Sequence, residues 1–300
     1  KKIEINEQEL RAIQYDFSDF DSGNEYIDPA HLYTYDLDVF GDYSLFQYIN
    51  RTSTPVGKQH LADWFNAHLE LKESIEQRQE AIRELSTDLE YRQQIRLFGL
   101  LYKGKPADTN EIRKWAGSPS YYQKHTLLRI IPTVVSIINL ICIGSAIVGI
   151  LPATVPGGVF FCFVIFSSIF SKGITKLQAT YGKKLQILST YADQILLTEK
   201  KEMNSPVLQQ LKTELTSQNQ TASQAVRQLS KLMNALDQRS NLLMSTILNG
   251  LIFWELRQVM RIEKWKETHA SDLPRWIETI GEIDAYCSLA VSYTHLRAHE

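Results

Sequence analysis

The stretch GLLYKGKP, Gly99 to Pro106, has the G-x-x-x-x-G-K spacing with which a glycine-rich loop wraps phosphates. That chemistry needs a Ser or Thr after the lysine to ligate magnesium, and Pro106 offers neither the hydroxyl nor a backbone N–H. The stretch also continues a helical pattern rather than a strand, so it is read as a helix C-terminal turn. His60 and His68 lie on one predicted helix near Asp63, but eight residues of helix part them by roughly 12 Å, too far to share an ion. His295 and His299 have the i, i+4 spacing of a metal pair, in the last residues of the chain. Asp16, Asp19, Asp21, Glu25 and Asp28 gather as in a calcium loop. Counted from Asp19, however, the glycine falls one place early and Ala30 stands where the closing glutamate is required, so the cluster is read as a solvated linker. Cys142, Cys162 and Cys287 are far apart in apolar surroundings, which fits neither a metal spacing nor a disulfide set and suits a reducing compartment. No Ser/His/Asp or Cys/His spacing emerges, and the expected catalytic, cofactor-binding and metal sets of this chain are empty.

Two basic groups remain. Arg51 stands in NRTSTP, Asn50 to Pro55, a polar break between two apolar-periodic halves. Thr54 and Pro55 supply an N-cap and an N1 proline, and Val56, Leu61, Trp64 and Phe65 then fall on one face. The break is thus a joint between helices, with Asn50 and Arg51 ending the first, where a cation suits the C-terminal dipole. Farther on, Arg257, Arg261, Lys264 and Lys266 fall in the second half of a predicted helix and have the charge to meet DNA phosphates. Glu255, Glu263 and Glu267 interleave with them and favour a solvated, i,i+4-paired face instead.

The elements that position these residues are helices. At 300 residues, 44% hydrophobic and 22% charged, the chain has the balance of a folding protein, and a net charge of −2 argues against a globally basic nucleic-acid binder. Helices are expected over 44–49, from Pro55, and over 72–86, 88–102, 110–116, 206–217, 222–239, 242–268 and 274–289; Ser205-Pro206 repeats the cap-plus-proline start, and Thr221 with Gln224 makes a capping box. LYTYDLDVF, Leu32 to Phe40, is the single expected strand or strap. The class is all-α. The chain opens on KKIEINEQEL with no apolar leader and no initiator Met, and is expected to begin inside a longer protein.

From Ile130 to Ser171 the sequence carries no charge. The arm from Ile130 to Leu151 spans roughly 33 Å as a helix, about the hydrocarbon thickness of a bilayer. PATVPGG turns the chain, and Val159 to Ser171 returns it as a shorter arm. Lys124 and Arg129 precede the pair and Lys172, Lys176, Lys183 and Lys184 follow it, which puts both flanks on the cytoplasmic side. A membrane hairpin through 130–171 is expected; the alternatives are a hairpin buried in a large cytoplasmic helical bundle and a partner-binding surface.

SLFQYINRTSTPVGKQHLADWF, Ser44 to Phe65, resembles the start of the core or lever domain of the MutS family of DNA mismatch-repair ATPases, being close to S-L-x-x-x-L-x-R-T-x-T-x-x-G-x-x-x-L-x-x-W. The residues this resemblance singles out as the structural motif are Ser44, Leu45, Asn50, Arg51, Thr52, Thr54, Gly57 and Trp64. IEQRQEAIREL, Ile75 to Leu85, and IGEIDAYCSLA, Ile280 to Ala290, resemble the next helix and the last lever helix. The resemblance implies a DNA-associated ATPase, homodimeric at full length and using ATP and magnesium, in which lever helices couple nucleotide to DNA. Residues 257, 261 and 264 would then be the DNA-phosphate contacts. Phe253 to Glu255 has the form of the Phe-x-Glu mismatch wedge but lies within a predicted helix, where Phe253 and Trp254 read as packing residues. The apolar hairpin, and the absence of a phosphate loop, a mismatch-recognition domain and clamp strands, depart from the family pattern. The expected organisation is a linker and strap at 1–39, core at 40–126, hairpin at 127–173, core and lever at 174–290, and a non-native tail at 291–300, where VSYTHLRAHE resembles translated adapter sequence. The ATPase domain is expected beyond residue 290. The competing expectation is a membrane-anchored helical scaffold that binds a protein partner without nucleotide or DNA.

Overall fold

A computed structural model describes residues 1–101, 106–186, 188–216, 221–237 and 242–297. Among them the helices are α1 (Lys2–Ile13), α2 (Leu45–Ile49), α3 (Pro55–Asn66), α4 (Lys72–Ser86), α5 (Leu89–Leu101), α6 (Pro106–Gly117), α7 (Thr126–Ile147), α8 (Thr154–Gln186), α9 (Leu188–Lys200), α10 (Pro206–Glu214), α11 (Ala222–Asp237), α12 (Leu242–Ile252), α13 (Trp254–His269) and α14 (Asp272–Arg297). No strand occurs among the described residues; Thr216 and Thr221 form an isolated bridge. The class is all-α, as the sequence predicts.

The chain divides into two compact units. The first comprises Lys1–Asn110, Ser189–Ala225 and Asp272–Glu300. Its spine is α14, which packs on α2, α3, α4, α5 and α10. Phe46, Leu61, Ala62 and Ala285 are fully buried at the centre with Val39 and Phe40, and rings of Phe40 and Phe65 lie 5.1 and 6.0 Å from Phe46. Gly281 lets α14 approach α3, because a Cβ there would run into Val56.

Residues 32–40 turn where a strand is expected. Leu37, Asp38 and Val39 donate backbone N–H groups to the carbonyls of Tyr33, Tyr35 and Thr34, so these donors are used in local turns rather than in a ladder. The alternating apolar residues are explained by Val39 and Phe40 entering the core. The N-terminal linker likewise contains a helix, α1, anchored by buried Ile5 and Ala12. The acidic cluster that follows is neutralised by cations: Arg11 pairs with Asp19, and Lys58 Nζ meets Asp21 at 2.7 Å and Glu25.

The second unit comprises Glu111–Leu188 and Val226–Ser271. Here α7, α8, α12 and α13 pack on one another. Two apolar stretches, Thr126–Ile147 and Thr154–Ser171, are long enough to cross a membrane, with 17% and 0% of their apolar windows buried. The second arm is longer than the sequence predicts because Thr154 to Gly158 of the expected turn already belong to α8; proline is tolerated in a first helical turn. The expected helix over 242–268 is broken at Phe253, whose φ of 51° is left-handed. Phe253 is nonetheless a packing residue, with Phe163, Phe166 and Phe170 around it. The lysine of the GxxxxGK match, His299 and Asn241 lie outside the described residues, as do the side chains of His295, Lys172, Lys176, Lys183 and Lys184.

Candidate functional site

The residues of the joint are held from both sides. Ser44 caps α2 by accepting from Gln47 N at 3.2 Å, while Gln47 Oε1 accepts from Tyr43 N at 2.6 Å, a reciprocal cap at the start of the motif. Asn50 closes α2: its Oδ1 accepts from Thr52 N and Thr52 Oγ1 at 3.1 and 2.6 Å, and its Nδ2 donates to the Asp21 carbonyl at 3.1 Å. Thr54 Oγ1 then accepts from Gly57 N at 2.9 Å to start α3 behind Pro55. Leu45 is half exposed, and Trp64 lies against Tyr286, 4.7 Å between centroids, with the Arg78 guanidinium over its other face.

Asp284 of α14 fastens this joint. Its Oδ2 accepts from Ser53 N (2.9 Å), Thr54 N (2.8 Å) and Thr54 Oγ1 (2.8 Å), and its Oδ1 accepts from Ser53 Oγ (3.1 Å). One turn farther, Ser288 Oγ accepts from Arg51 N at 2.8 Å and donates to the Ile49 carbonyl at 2.8 Å. Three backbone donors of the break, those of Arg51, Ser53 and Thr54, and the last carbonyl of α2 are therefore satisfied by one face of one helix. Gly57 sits where a Cβ would strike the Asp284 carboxylate. Burial pushes the Asp284 carboxyl up to about 6, against the pull of its four donors.

Arg51, 4% exposed, ends α2 as its position predicts, donating through Nη1 to the Tyr48 carbonyl at 2.8 Å. It does more than that. Its Nε lies 2.9 and 3.0 Å from the two carboxylate oxygens of Glu9, its guanidinium sits 3.5 Å over the Phe20 ring, and Arg96 shares Glu9 from the other side. Burial lowers the pKa of both arginines and Glu9 opposes the shift. A cavity of about 310 Å³ adjoins the group, lined by Ile5, Leu10, Arg51, Arg92, Arg96 and Cys287 among others. It holds no activated nucleophile, since burial drives the Cys287 thiol strongly upward.

A family model of MutS domain III matches residues 32–290. The chain belongs to the MutS family. Neither a curated protein nor a solved structure matches it. In this MutS domain III the motif residues thus form the hub of the first unit, and Arg51 Nε and Nη1 are committed to architecture.

The basic residues of α13 separate by role. Arg261 and Lys264 are exposed. Arg257 is half-buried and donates to the Ile252 carbonyl through Nε and to Pro132 O and Ser136 Oγ through Nη2, all at 2.8–2.9 Å. Of the interleaved acids Glu267 is exposed as expected, whereas Glu255 and Glu263 do not belong to a solvated face. Glu255 and Glu263 are buried, Glu263 accepts from Tyr121 N and Gln123 N at 2.9 and 2.6 Å, and Lys266 donates to Ser118 O at 2.8 Å. These partners lie some 140 residues away in sequence, so spacing on α13 alone does not reveal them. His60 bonds to Glu278 at 2.9 Å, and among the described residues no group of three or more His, Cys, Asp or Glu could hold a metal ion.

Proposed function

We propose that this chain is the lever segment of a MutS-family ATPase that associates with DNA and is tethered to a membrane through α7 and α8. The observation that carries the coupling is the attachment of Asp284 and Ser288 to the joint between α2 and α3. A displacement of α14 along its axis has to move the start of α3 and the end of α2 with it, because six hydrogen-bonded groups would otherwise be left unpaired in the interior. Such a linkage suits a device that passes a nucleotide-driven movement to a distant surface. Family membership supports DNA as the partner, a homodimer is carried over from the resemblance alone, and the exposed Arg261 and Lys264 are the phosphate contacts of this reading.

The residues of this chain do not fit ATP and magnesium. Pro106 replaces the magnesium-binding hydroxyl of a phosphate loop, and the described residues offer no carboxylate cluster for the ion. Nucleotide belongs to a further domain of the full-length protein. The tether rests on the length and exposure of the two apolar stretches, with both flanks cytoplasmic by the positive-inside rule.

Two measurements test the reading. The chain should sediment with membranes and stay there through a carbonate wash; recovery in the soluble fraction would exclude the tether. The full-length protein should hydrolyse ATP and retain DNA, and both should fall when the lysine of its phosphate loop is replaced. If neither falls, a membrane-anchored helical scaffold replaces the ATPase reading.

A further inference from the structure

Helices α12 and α13 fold back on one another. Phe253, the single buried residue between them, is left-handed, and Ser245 Oγ on α12 donates to Glu255 Oε1 on α13 at 2.9 Å. Ten residues of straight helix would part these two positions by roughly 15 Å, so the bond requires a hairpin with its tip at Ile252 and Phe253. Both arms of that hairpin lie against α7 and α8.

The tip has its backbone satisfied by protein groups. Asn139 Nδ2 of α7 donates to the Gly250 and Leu251 carbonyls at 3.0 Å each, and Arg257 Nε donates to the Ile252 carbonyl at 2.9 Å. Glu255 N donates to Asn249 Oδ1 at 3.0 Å. Water would serve these groups at an exposed helix break. Hydrocarbon would not, and irregular backbone survives at membrane depth only where the protein itself supplies the partners.

Two independent rulers give the depth of Gly250, beside the tip. Asn139 lies ten residues beyond Arg129, roughly 15 Å along α7. Phe160, whose ring fills the space where a Cβ on Gly250 would go, lies eleven residues before Ser171, roughly 17 Å along α8. Both put Gly250 near the middle of a hydrocarbon core about 30 Å thick. Arg257, bonded to Pro132 and Ser136, is back within roughly 5 to 10 Å of Arg129. The outer face of α12 is apolar, with Leu243, Met244 and Ile247 exposed at 77%, 52% and 48%.

We propose that α12 and α13 form a re-entrant hairpin, which enters the bilayer beside α7 and α8, turns at Phe253 within the hydrocarbon core and leaves on the same side, with acyl chains against Leu243, Met244 and Ile247. The proposal rests on the tether reading of α7 and α8. It is tested with the full chain in phosphatidylcholine vesicles carrying doxyl-labelled acyl chains. An environment-sensitive fluorophore is placed on a single introduced cysteine, Phe161→Cys, Ile247→Cys or Lys264→Cys, in a Cys142→Ala, Cys162→Ala background; Cys287 is buried and stays. These three positions are exposed, so the substitutions leave the packing intact. The expected result is at least twofold quenching at 161 by deep labels and at 247 by shallower ones, with 264 unquenched. Quenching at 161 without quenching at 247 overturns the re-entrant hairpin and leaves the two-helix tether. Quenching at 264 also overturns it, since α13 would then lie in the membrane along its length. No quenching at 161 overturns the tether itself.

Discussion

Replacing Asp284 by Asn and by Ala separates the charge of the joint's fastener from its hydrogen bonds. The carboxyl titrates at about 6 in the fold against 3.8 when solvated. A raised carboxyl favours the folded state fully below the unfolded value, and that advantage is lost as the pH climbs through about 6. The shift of about two units corresponds to roughly 3 kcal/mol between pH 4 and pH 7. Asn keeps an oxygen for Ser53 N, Thr54 N and Thr54 Oγ1, and turns its amide toward Ser53 Oγ, which can accept. Asp284→Asn is therefore expected to match or exceed the parent in stability at pH 7.5, and to flatten the pH dependence between 4 and 6.5. Asp284→Ala leaves Ser53 N and Thr54 N buried without an acceptor, at about 1–3 kcal/mol each, so a loss of roughly 3–5 kcal/mol is expected at pH 7.5. The assay is thermal unfolding of the detergent-solubilised chain followed by tryptophan fluorescence across that pH range, with Trp276 fully buried in the same helix. If Asn costs as much as Ala at pH 7.5, the negative charge itself holds the joint and the reasoning is wrong.

Arg51→Lys should lower stability by about 2 kcal/mol in the same assay, because an ammonium keeps neither the double contact with Glu9 nor the stacking on Phe20. Gly281→Val puts a branched side chain where α14 meets Val56, with an expected cost of about 1–3 kcal/mol and slower refolding of the first unit only if the α3 contact forms early. Asn139→Leu strips the Gly250 and Leu251 carbonyls of their donor and should lower the stability of the detergent-solubilised chain by about 1–3 kcal/mol per carbonyl, whereas unchanged thermal unfolding would mean that water already serves the tip.

Helices were legible where the sequence marks their ends. Thr54-Pro55 starts α3 and Ser205-Pro206 starts α10 at the expected residues, although Ser205 makes no side-chain cap and Glu84 of α4 fixes the entry to α10 by accepting from Asn204 N and Ser205 N. Where the marks are missing, reading fails. Lys1 gives α1 no side-chain cap, so an acidic segment looks like linker. At Phe253 neither Gly nor Pro announces the break, and the apolar period runs straight through it; the left-handed turn is imposed by the ring's place among three phenylalanines and by Asn139 from another helix. The aromatic alternation of 32–40 belongs to turns that send two side chains inward, a pattern that a period of two cannot separate from a strand.

The joint itself shows which half of a site spacing can disclose. Its own cap, proline and helix-ending arginine are local, and they are legible from NRTSTP alone. Its fastener is some 230 residues away, yet one signal for it exists. On α14 the buried stripe Ile280, Ile283, Cys287 and Ala290 is interrupted by Asp284, a carboxylate on the core face of a helix. A buried carboxylate must find donors, and the unpaired donors of a unit built from capped helices sit where one helix stops and the next begins. The break between α2 and α3, with Ser53 N and Thr54 N free of any helix, is such a place. Arg51 follows the same logic in the opposite sense: a guanidinium carried into the interior by the end of α2 requires acceptors, and Tyr48 O and Glu9 provide them. The motif's polarity is thus what burial of a helix joint demands, which is why residues that look catalytic in the sequence are structural in the fold.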